Sequence, residues 1–494
     1  MLNSHLRYRL FFPLFWLSLL LTVPTYSQTN SRLTQQIDKV LKESCLDSSQ
    51  TSVNVVALPD GEIVYARNPV VPLLPASVMK LVTTAAALHY LSPEYRFKTE
   101  FLYSGTRNNG LIQGDLIIRG GGNPRLSTEQ FWTIATQIKA SGIFEITGNL
   151  VVDTHFFDEY ELAPEWEEEK RGQRPYDAKL SALSLNFNTI AAHIQPGASV
   201  GDTVNAWLDP APAYIHLRNT GKTTSRRSKH TVWAHRHENQ PGEVEIEVRG
   251  QLPVNAPEKV VYLNLNNPTH YAAETFRALL LQIGIKINGE TKTVSSRIDA
   301  NKLYKHFSQP LSLILKELNL YSNNLTAEHI VKTIAAERYG TPGSHAEGLR
   351  LLDDFLRINN VNTEGVVIVD GSGLSRKNRM TTRAITDLLT AMYSRFDIGP
   401  DFIAALHIMG KNDIYAQRLR NSPAREKTRA KTGSLKGVST LAGYVESSNG
   451  QIFGFALFLN HNRCGSRKAD DIEDRIITAI YNLGESAFEE FSTK

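Results

Sequence analysis

Residues 72–88 have the sequence PLLPASVMKLVTTAAAL, in which a serine stands three residues before a lysine at the start of an apolar run. Pro75 suits the first turn of a helix, and residues at i and i+3 share a helix face. The hydroxyl of Ser77 and the amine of Lys80 are therefore expected within reach of each other, near the positive end of a helix dipole. A lysine can activate a serine once burial or a neighbouring cation lowers its pKa from about 10.4 to about 7–8. The stretch predicts a covalent active site.

A second motif, Lys431-Thr432-Gly433-Ser434, directly precedes a predicted terminal strand. The glycine allows a ligand to lie against the strand edge. The lysine and threonine offer a cation and a hydroxyl donor to a carboxylate. The motif therefore predicts a strand that binds an anionic group.

A third motif, S-x-N, is ambiguous because residues 184–186, 322–324 and 447–449 all match it. The last match lies in a predicted hairpin turn beyond Lys431, and the first lies in a segment that needs no chemistry to explain it. We favour Ser322, because it opens an amphipathic helix after a loop, where a side chain can point into a cleft.

In this order, S-x-x-K, S-x-N and K-T-G resemble the constellation of penicillin-binding proteins and serine β-lactamases. A long segment separates the S-x-x-K motif from the S-x-N motif at Ser322. Further family-like stretches are GGGNPRL at 120–126 and VDGSGLSRKNRMT at 369–381. The chain thus resembles the class C low-molecular-mass penicillin-binding proteins, the D-Ala-D-Ala carboxypeptidase/endopeptidases of peptidase family S13. The resemblance implies an α/β (α+β) serine β-lactamase/penicillin-binding transpeptidase-like domain with a large β-rich two-part insert.

The resemblance also implies roles for the residues of the S-x-x-K and S-x-N motifs. Ser77 would be the acylated nucleophile, and Lys80 would be its general base. Ser322 would relay a proton to the departing D-alanine, and Asn324 would hold the substrate amide.

The same resemblance assigns the K-T-G motif to substrate binding. Lys431 and Thr432 would bind the terminal carboxylate, beside Gly433 and Ser434. The backbone N–H groups of Ser77 and Ser434 would form the oxyanion hole, a device worth ~10²–10³ in rate.

Two residues outside the motifs are expected to recognise the charged end of the peptide side chain. They are Asp153 in the insert and Arg376 in the stretch DGSGLSRKN. The structural alternatives, a turn aspartate and a surface arginine, stay open at this point.

The organisation of the chain is expected to be an interrupted catalytic domain with an insert. Short alternating runs punctuated by glycine begin near residue 98 and indicate strands, whereas helical patterning dominates from residue 310 onward. The expected divisions are 1–27, a signal peptide; 28–97 and 300–494, the catalytic domain; 98–187 and 266–299, insert domain II; and 188–265, the β-rich insert domain III.

The N-terminal segment has the pattern of a secretory signal peptide. Arg7 and Arg9 precede an apolar run, and a small-x-small end follows near Ser27. An uncleaved anchor helix is the alternative, but the run is short for a membrane span. The mature protein is therefore expected to be periplasmic, without a transmembrane anchor.

Charge and composition exclude several other functions. The formal net charge is +4, of which Arg7 and Arg9 contribute two, so nucleic acid is not expected as the main partner. No ligand set with zinc-like spacing is visible, and we expect neither a metal nor a cofactor. Cys45 and Cys464 are the only two cysteines, and the sequence leaves open whether they pair in an oxidising compartment.

The sequence therefore predicts a serine D-Ala-D-Ala carboxypeptidase that also has DD-endopeptidase activity and acts on peptidoglycan peptides and cross-links through an acyl-enzyme. β-Lactam antibiotics are expected to acylate Ser77. Two alternatives remain, a serine β-lactamase and a non-catalytic peptidoglycan-binding scaffold. The oligomeric state does not follow from the sequence.

Overall fold

The computed structural model describes residues 26–166, 172–240, 242–411 and 414–483. The predicted signal peptide lies outside the described residues, apart from its last two positions. No helix within the described ranges is long and apolar enough to cross a membrane.

The helices of the described residues are α1 Tyr26–Val40, α2 Lys80–Leu91, α3 Thr128–Ala140, α4 Pro268–Gln282, α5 Leu311–Tyr321, α6 Asn324–Tyr339, α7 His345–Ile358, α8 Thr382–Ser394, α9 Gly399–Ala404 and α10 Ser466–Tyr481. The strands are β1 Thr51–Ala57, β2 Glu62–Arg67, β3 Lys98–Tyr103, β4 Thr106–Asn108, β5 Leu111–Gln113, β6 Leu116–Arg119, β7 Glu145–Ile146, β8 Leu150–Asp153, β9 Thr189–Gln195, β10 Asn205–Asp209, β11 Ile215–Asn219, β12 Lys222–Thr224, β13 Trp233–Gln240, β14 Glu243–Arg249, β15 Gln251–Pro253, β16 Lys259–Asn264, β17 Lys286–Ile287, β18 Thr291–Val294, β19 Asn301–Phe307, β20 His407–Ile408, β21 Thr428–Leu435, β22 Val438–Glu446 and β23 Ile452–Asn460.

The main sheet joins the two ends of the chain. Its order is β2-β1-β23-β22-β21-β20, and every neighbouring pair is antiparallel. A hairpin is present at each end, β1-β2 and β22-β23, and the N-terminal one pairs with the C-terminal one through β1 and β23. This pairing brings the segment that contains Ser77 next to the strand that contains Lys431.

Both faces of the main sheet are covered, which explains why its central strand β23 is apolar from Ile452 to Leu459. On β23, Phe455, Leu457 and Leu459 belong to the core under α1 and α10. Ala456 and Phe458 point to the opposite face and join the large helical core that contains α2, α5, α6, α7 and α8. The motif-bearing segments are thus attached to a rigid two-sided core.

A disulfide bond connects Cys45 and Cys464, with a Cα–Cα distance of 4.9 Å. It joins the segment after α1 to the segment that precedes α10. The pairing that the sequence left open is therefore present in the structure.

The insert consists of several smaller sheets with α3 and α4. A five-stranded sheet has the order β18-β8-β6-β3-β19, and three-stranded sheets have the orders β10-β9-β16 and β11-β14-β13. One apolar cluster runs through both proposed parts of the insert. The strand β19 begins directly after the proposed boundary at residue 300, and it pairs with β3 in the insert's own sheet.

Candidate active site

Ser77 lies in a 3₁₀ turn, Ala76–Met79, that leads into α2. The sequence predicted that Ser77 and Lys80 share the first turn of one α-helix. The structure instead begins α2 at Lys80, and the tighter turn still places the two side chains together. The Nζ of Lys80 lies 3.0 Å from the Oγ of Ser77.

The amine of Lys80 is fully buried and makes two further hydrogen bonds. It donates to the Oδ1 of Asn324 at 2.8 Å and to the backbone oxygen of Ser372 at 2.6 Å. Burial lowers the pKa of Lys80 to about 8, although the charges of Asp370 and Glu328 act in the opposite direction. Lys80 can therefore be neutral near physiological pH, as a general base must be.

The backbone at Ser322 is held in an uncommon conformation. Ser322 ends α5 with φ 52° and ψ 40°, in the left-handed region that a residue other than glycine seldom adopts. Asn323 then caps α6, and its side chain accepts a hydrogen bond from the backbone N–H of Thr326 at 2.8 Å. Residues held in this way often lie at functional sites, because the surrounding structure must offset the strain.

Lys431 connects the K-T-G motif to the S-x-N motif. Its Nζ donates to the Oγ of Ser322 at 3.0 Å and to the backbone oxygen of Thr432 at 2.6 Å. Burial and the positive charge of Lys80 lower the pKa of Lys431 well below its ordinary value. The two lysines thus lie close enough to influence each other's charge.

Gly433 allows β21 to pass close to the turn that contains Ser77. A Cβ atom at this position would lie 2.7 Å from the backbone nitrogen of Ser77 and 3.1 Å from the Cβ of Ala76. Only glycine permits this approach. The neighbouring Thr440 on β22 fixes the same turn by donating its hydroxyl hydrogen to the backbone oxygen of Pro75 at 2.8 Å.

Thr432 and Ser434 complete the K-T-G motif on the open side of β21. Thr432 is half-buried, and its Oγ1 lies 3.0 Å from the hydroxyl of Tyr415. Ser434 is exposed. The structure therefore brings together the residues that the three motifs predicted.

Asp153 does not join this group. Its carboxylate is fully buried and accepts hydrogen bonds from Arg119 at 2.9 Å and from the backbone N–H of His155 at 3.1 Å. The pKa of Asp153 is lowered by these partners against the effect of burial. The contacts favour the structural alternative, because no side of the carboxylate is open to a substrate.

Arg376 lies at the edge of the site. Its side chain is exposed, and its Nη2 donates to the backbone oxygen of Lys436 at 2.7 Å, two residues after Ser434. This position leaves the guanidinium accessible from solvent beside β21.

The sequence did not predict the roles of Glu328 and Asp370, which fix the loop that accepts a hydrogen bond from the amine of Lys80. The fully buried carboxylate of Glu328 accepts hydrogen bonds from the backbone N–H groups of Gly371 at 3.2 Å and Ser372 at 2.8 Å. The same loop directs the carbonyl of Ser372 to Lys80. The sequence signal that could have identified this contact is the position of Glu328, one helical turn after Asn324 on α6.

Asp370 anchors the other end of this loop. Its carboxylate accepts hydrogen bonds from the backbone N–H groups of Gly373 at 2.6 Å and Ser375 at 2.7 Å. The indole of Trp166 donates to it at 2.9 Å, which connects the insert to the catalytic region. Burial and the charge of Glu328 raise the pKa of Asp370.

Comparison with protein families finds one family model across most of the chain. The model described as the D-Ala-D-Ala carboxypeptidase 3 (S13) family matches residues 33–482. A D-alanyl-D-alanine carboxypeptidase of Actinomadura sp. is 33% identical over 436 residues, which are 85% of this chain and 80% of the relative. A D-alanyl-D-alanine carboxypeptidase of Haemophilus influenzae is 26% identical over 459 residues, covering 90% of this chain and 91% of the relative.

Solved structures show the same fold. Penicillin binding protein 4 of Haemophilus influenzae superimposes with a TM-score of 0.76 at 24% identity, over 90% of this chain and 98% of that chain. Its complex with a β-lactam gives a TM-score of 0.72 at 25% identity, over 93% and 99% of the two chains. The predicted fold class, a penicillin-binding catalytic domain with β-rich additions, is confirmed.

Proposed function

The chain belongs to the D-Ala-D-Ala carboxypeptidase 3 (S13) family, and on this premise we propose that Ser77, Lys80 and Ser322 carry out its reaction. The family makes the protein a serine-type D-Ala-D-Ala carboxypeptidase, a hydrolase that acts on peptidoglycan peptides. The 3.0 Å contact between the Oγ of Ser77 and the Nζ of Lys80 is the observation that supports the assignment of the nucleophile.

Acylation begins with the attack of the Ser77 Oγ on the carbonyl carbon of the penultimate D-alanine. Neutral Lys80 accepts the hydroxyl proton as the Oγ–C bond forms. The backbone N–H groups of Ser77 and Ser434 donate to the oxyanion, which is stabilised before the C–N bond breaks. Ser322 then donates a proton to the departing amine of D-alanine as the C–N bond breaks, and the proton that Lys80 took from Ser77 replaces it, so that Lys80 is neutral again.

Substrate binding uses Lys431 and the hydroxyl of Thr432 for the terminal carboxylate, and the negative charge of that carboxylate favours the protonated lysine. Asn324 holds the substrate amide beside the amine of Lys80. In deacylation, water attacks the ester carbonyl, neutral Lys80 accepts a proton from that water, and it returns this proton to the Oγ of Ser77 as the ester bond breaks. Arg376 at the edge of the site remains a candidate for recognising the peptide side chain.

DD-endopeptidase activity is part of the same proposal. A D-Ala–diaminopimelate cross-link has the same acyl group, and its amine leaving group also carries a carboxylate next to the nitrogen. β-Lactams are expected to acylate Ser77 as well, because their strained amide presents a carbonyl to the same nucleophile. We place this activity in the periplasm, on the basis of the signal-like N-terminal sequence.

Labelling with a fluorescent penicillin tests the nucleophile. We expect the wild-type protein to be labelled and to release D-alanine from a pentapeptide, whereas Ser77→Ala does neither. Ser447→Ala is a suitable control, since this serine of another S-x-N match lies in a hairpin turn and bonds to Asn449 and Gln451. Equal labelling of the wild-type protein and Ser77→Ala would refute the assignment.

The two alternatives predict different outcomes of the same experiments. A β-lactamase would lose the penicillin label rapidly by hydrolysis, and a non-catalytic scaffold would release no D-alanine. A long-lived penicillin adduct combined with D-alanine release excludes both.

A further inference from the structure

A cavity of about 810 Å³ lies beside Ser322, outside the group of residues described above. Tyr321 and Asn323, on either side of Ser322, contribute to its wall. The opposite wall comes from the insert, mainly from the start of α3 and from β9, β10 and β16. The cavity is within the ~300–1,000 Å³ range of ligand-binding pockets.

The floor of the cavity is one face of the sheet β10-β9-β16. On β9, Thr189, Ala191 and His193 line the cavity, whereas the alternate residues are in the apolar core of the insert. Ala191 pairs with Asp209 on one side and with Tyr262 on the other. The small side chain of Ala191 between two larger ones leaves the floor open.

Aromatic rings line this cavity although water reaches them. Tyr262 is 55% exposed, and Tyr321 is 62% exposed. Phe187 also lines it, in a left-handed conformation with φ 56°, and the guanidinium of Arg125 lies 4.7 Å from the centre of its ring. Exposed aromatic rings in a concave surface indicate a ligand with apolar faces.

The charges of the lining do not suit an anion. Arg125 is the only arginine or lysine among the described lining residues, and its guanidinium is paired with Glu317 at 2.6 Å. Glu129 and Asp209 add negative charge. Apart from the imidazole of His193 and the tyrosine hydroxyls, the remaining polar lining consists of neutral hydroxyl and amide side chains: Ser127, Thr128, Gln130, Asn186, Thr189, Ser308, Gln309 and Asn323.

We propose that this cavity binds the acetylated amino-sugar strand to which the stem peptide is attached. Pyranose rings present C–H faces that stack on aromatic rings, and their hydroxyl and acetamido groups match neutral hydroxyl and amide partners. The sugars are neutral when the muramic acid carboxyl is bonded to the peptide, which agrees with the acidic lining. A second stem peptide is disfavoured, because it brings free carboxylates.

The proposal rests on the proposed function, since a peptide bound at Ser77 brings its sugar to the neighbouring surface. A stem peptide of five residues spans at most about 17 Å when fully extended. The cavity begins at the residues next to Ser322 and is therefore within reach of the attached saccharide.

The test compares two substrates that differ only in the sugar, a pentapeptide and the same pentapeptide attached to its disaccharide. In Tyr262→Ala we expect kcat/KM for the disaccharide substrate to fall about three- to tenfold, the effect of one lost aromatic contact. The value for the sugar-free pentapeptide should stay within about twofold. Phe396→Ala, which removes an aromatic ring that is 96% exposed and does not line the cavity, should change neither value.

A second measurement is independent of catalysis. Chitotetraose, which contains no peptide, should bind to the wild-type protein after acylation by penicillin, and it should bind more weakly to acylated Tyr262→Ala. Failure of the wild-type protein to bind chitotetraose, or an equal effect of Tyr262→Ala on both substrates, overturns the inference. Failure of the wild-type protein to hydrolyse either substrate refutes the proposed function instead.

Discussion

Lys431 donates a hydrogen bond to the Oγ of Ser322 at 3.0 Å, across a sequence separation of 109 residues. The contact joins the edge of the main sheet to the loop between α5 and α6. It also places a buried amine against the hydroxyl that we propose as the proton relay. Because the lysine is fully buried, the charge that we propose for binding the substrate carboxylate also acts strongly on the neighbouring hydroxyl of Ser322.

The pH dependence of kcat should follow the ionisation of Lys80. Only the neutral amine accepts a proton, so kcat should rise with pH and level off above about 8, the pKa of Lys80. Replacing Glu328 by Gln removes a negative charge that raises this pKa. The midpoint of the pH profile should therefore move to lower pH in Glu328→Gln.

The magnitude of kcat should also fall in Glu328→Gln, because the side chain would no longer accept both backbone hydrogen bonds of the loop at 371–372. Glu337→Gln is the matched control, since this exposed residue of the same helix bonds to Tyr95 away from the lysine. An unchanged midpoint in Glu328→Gln would show that its charge does not act on Lys80.

Removal of the Ser322 hydroxyl should lower D-alanine release about 10²–10⁴-fold, the usual contribution of a general acid or base. Ser322→Ala and Ser322→Gly should lose this activity equally. Their stabilities should differ, because alanine is disfavoured by about 1 kcal/mol or more relative to glycine at positive φ. Thermal unfolding of both variants separates the hydroxyl effect from the backbone effect.

Two results would contradict this account of Ser322. One is nearly wild-type activity in Ser322→Gly, which would leave the hydroxyl without a catalytic role. The other is a comparable loss in Ser447→Ala or Ser184→Ala, which would transfer the S-x-N assignment to one of the alternative matches.

The contrast between Ser77 and Asp153 shows which parts of the site can be predicted from sequence. Ser77 and Lys80 are neighbours along the chain, so their local spacing was enough to predict their contact. The fold class followed from the order of three motifs and their resemblance to one family. Asp153 was different, because its burial and its bonds to Arg119 and His155 depend on the packing of the insert.

The contacts made by Glu328 could not be predicted from the sequence, for a related reason. Its carboxylate binds a loop more than 40 residues further along the chain, and no local pattern encodes the packing of that loop against α6. The bond between Cys45 and Cys464 likewise depends on the pairing of the N-terminal and C-terminal hairpins. Non-local pairing of this kind is decided by the whole fold.

Gly433→Ala should reduce kcat strongly while the protein still folds. The added methyl group would lie 2.3 Å from the Oγ1 of Thr440 and 2.7 Å from the backbone nitrogen of Ser77, the proposed oxyanion donor, so either β21 or the turn must move. Loss of one oxyanion donor lowers the rate about 10²–10³-fold. Gly454→Ala, on β23 of the same sheet, is the matched control because its Cβ would meet the side chain of Val56 at 3.2 Å, away from Ser77. The comparison requires the acylation rate with a fluorescent penicillin and the melting temperature of each variant. Wild-type acylation by Gly433→Ala would contradict the close approach of β21 to Ser77.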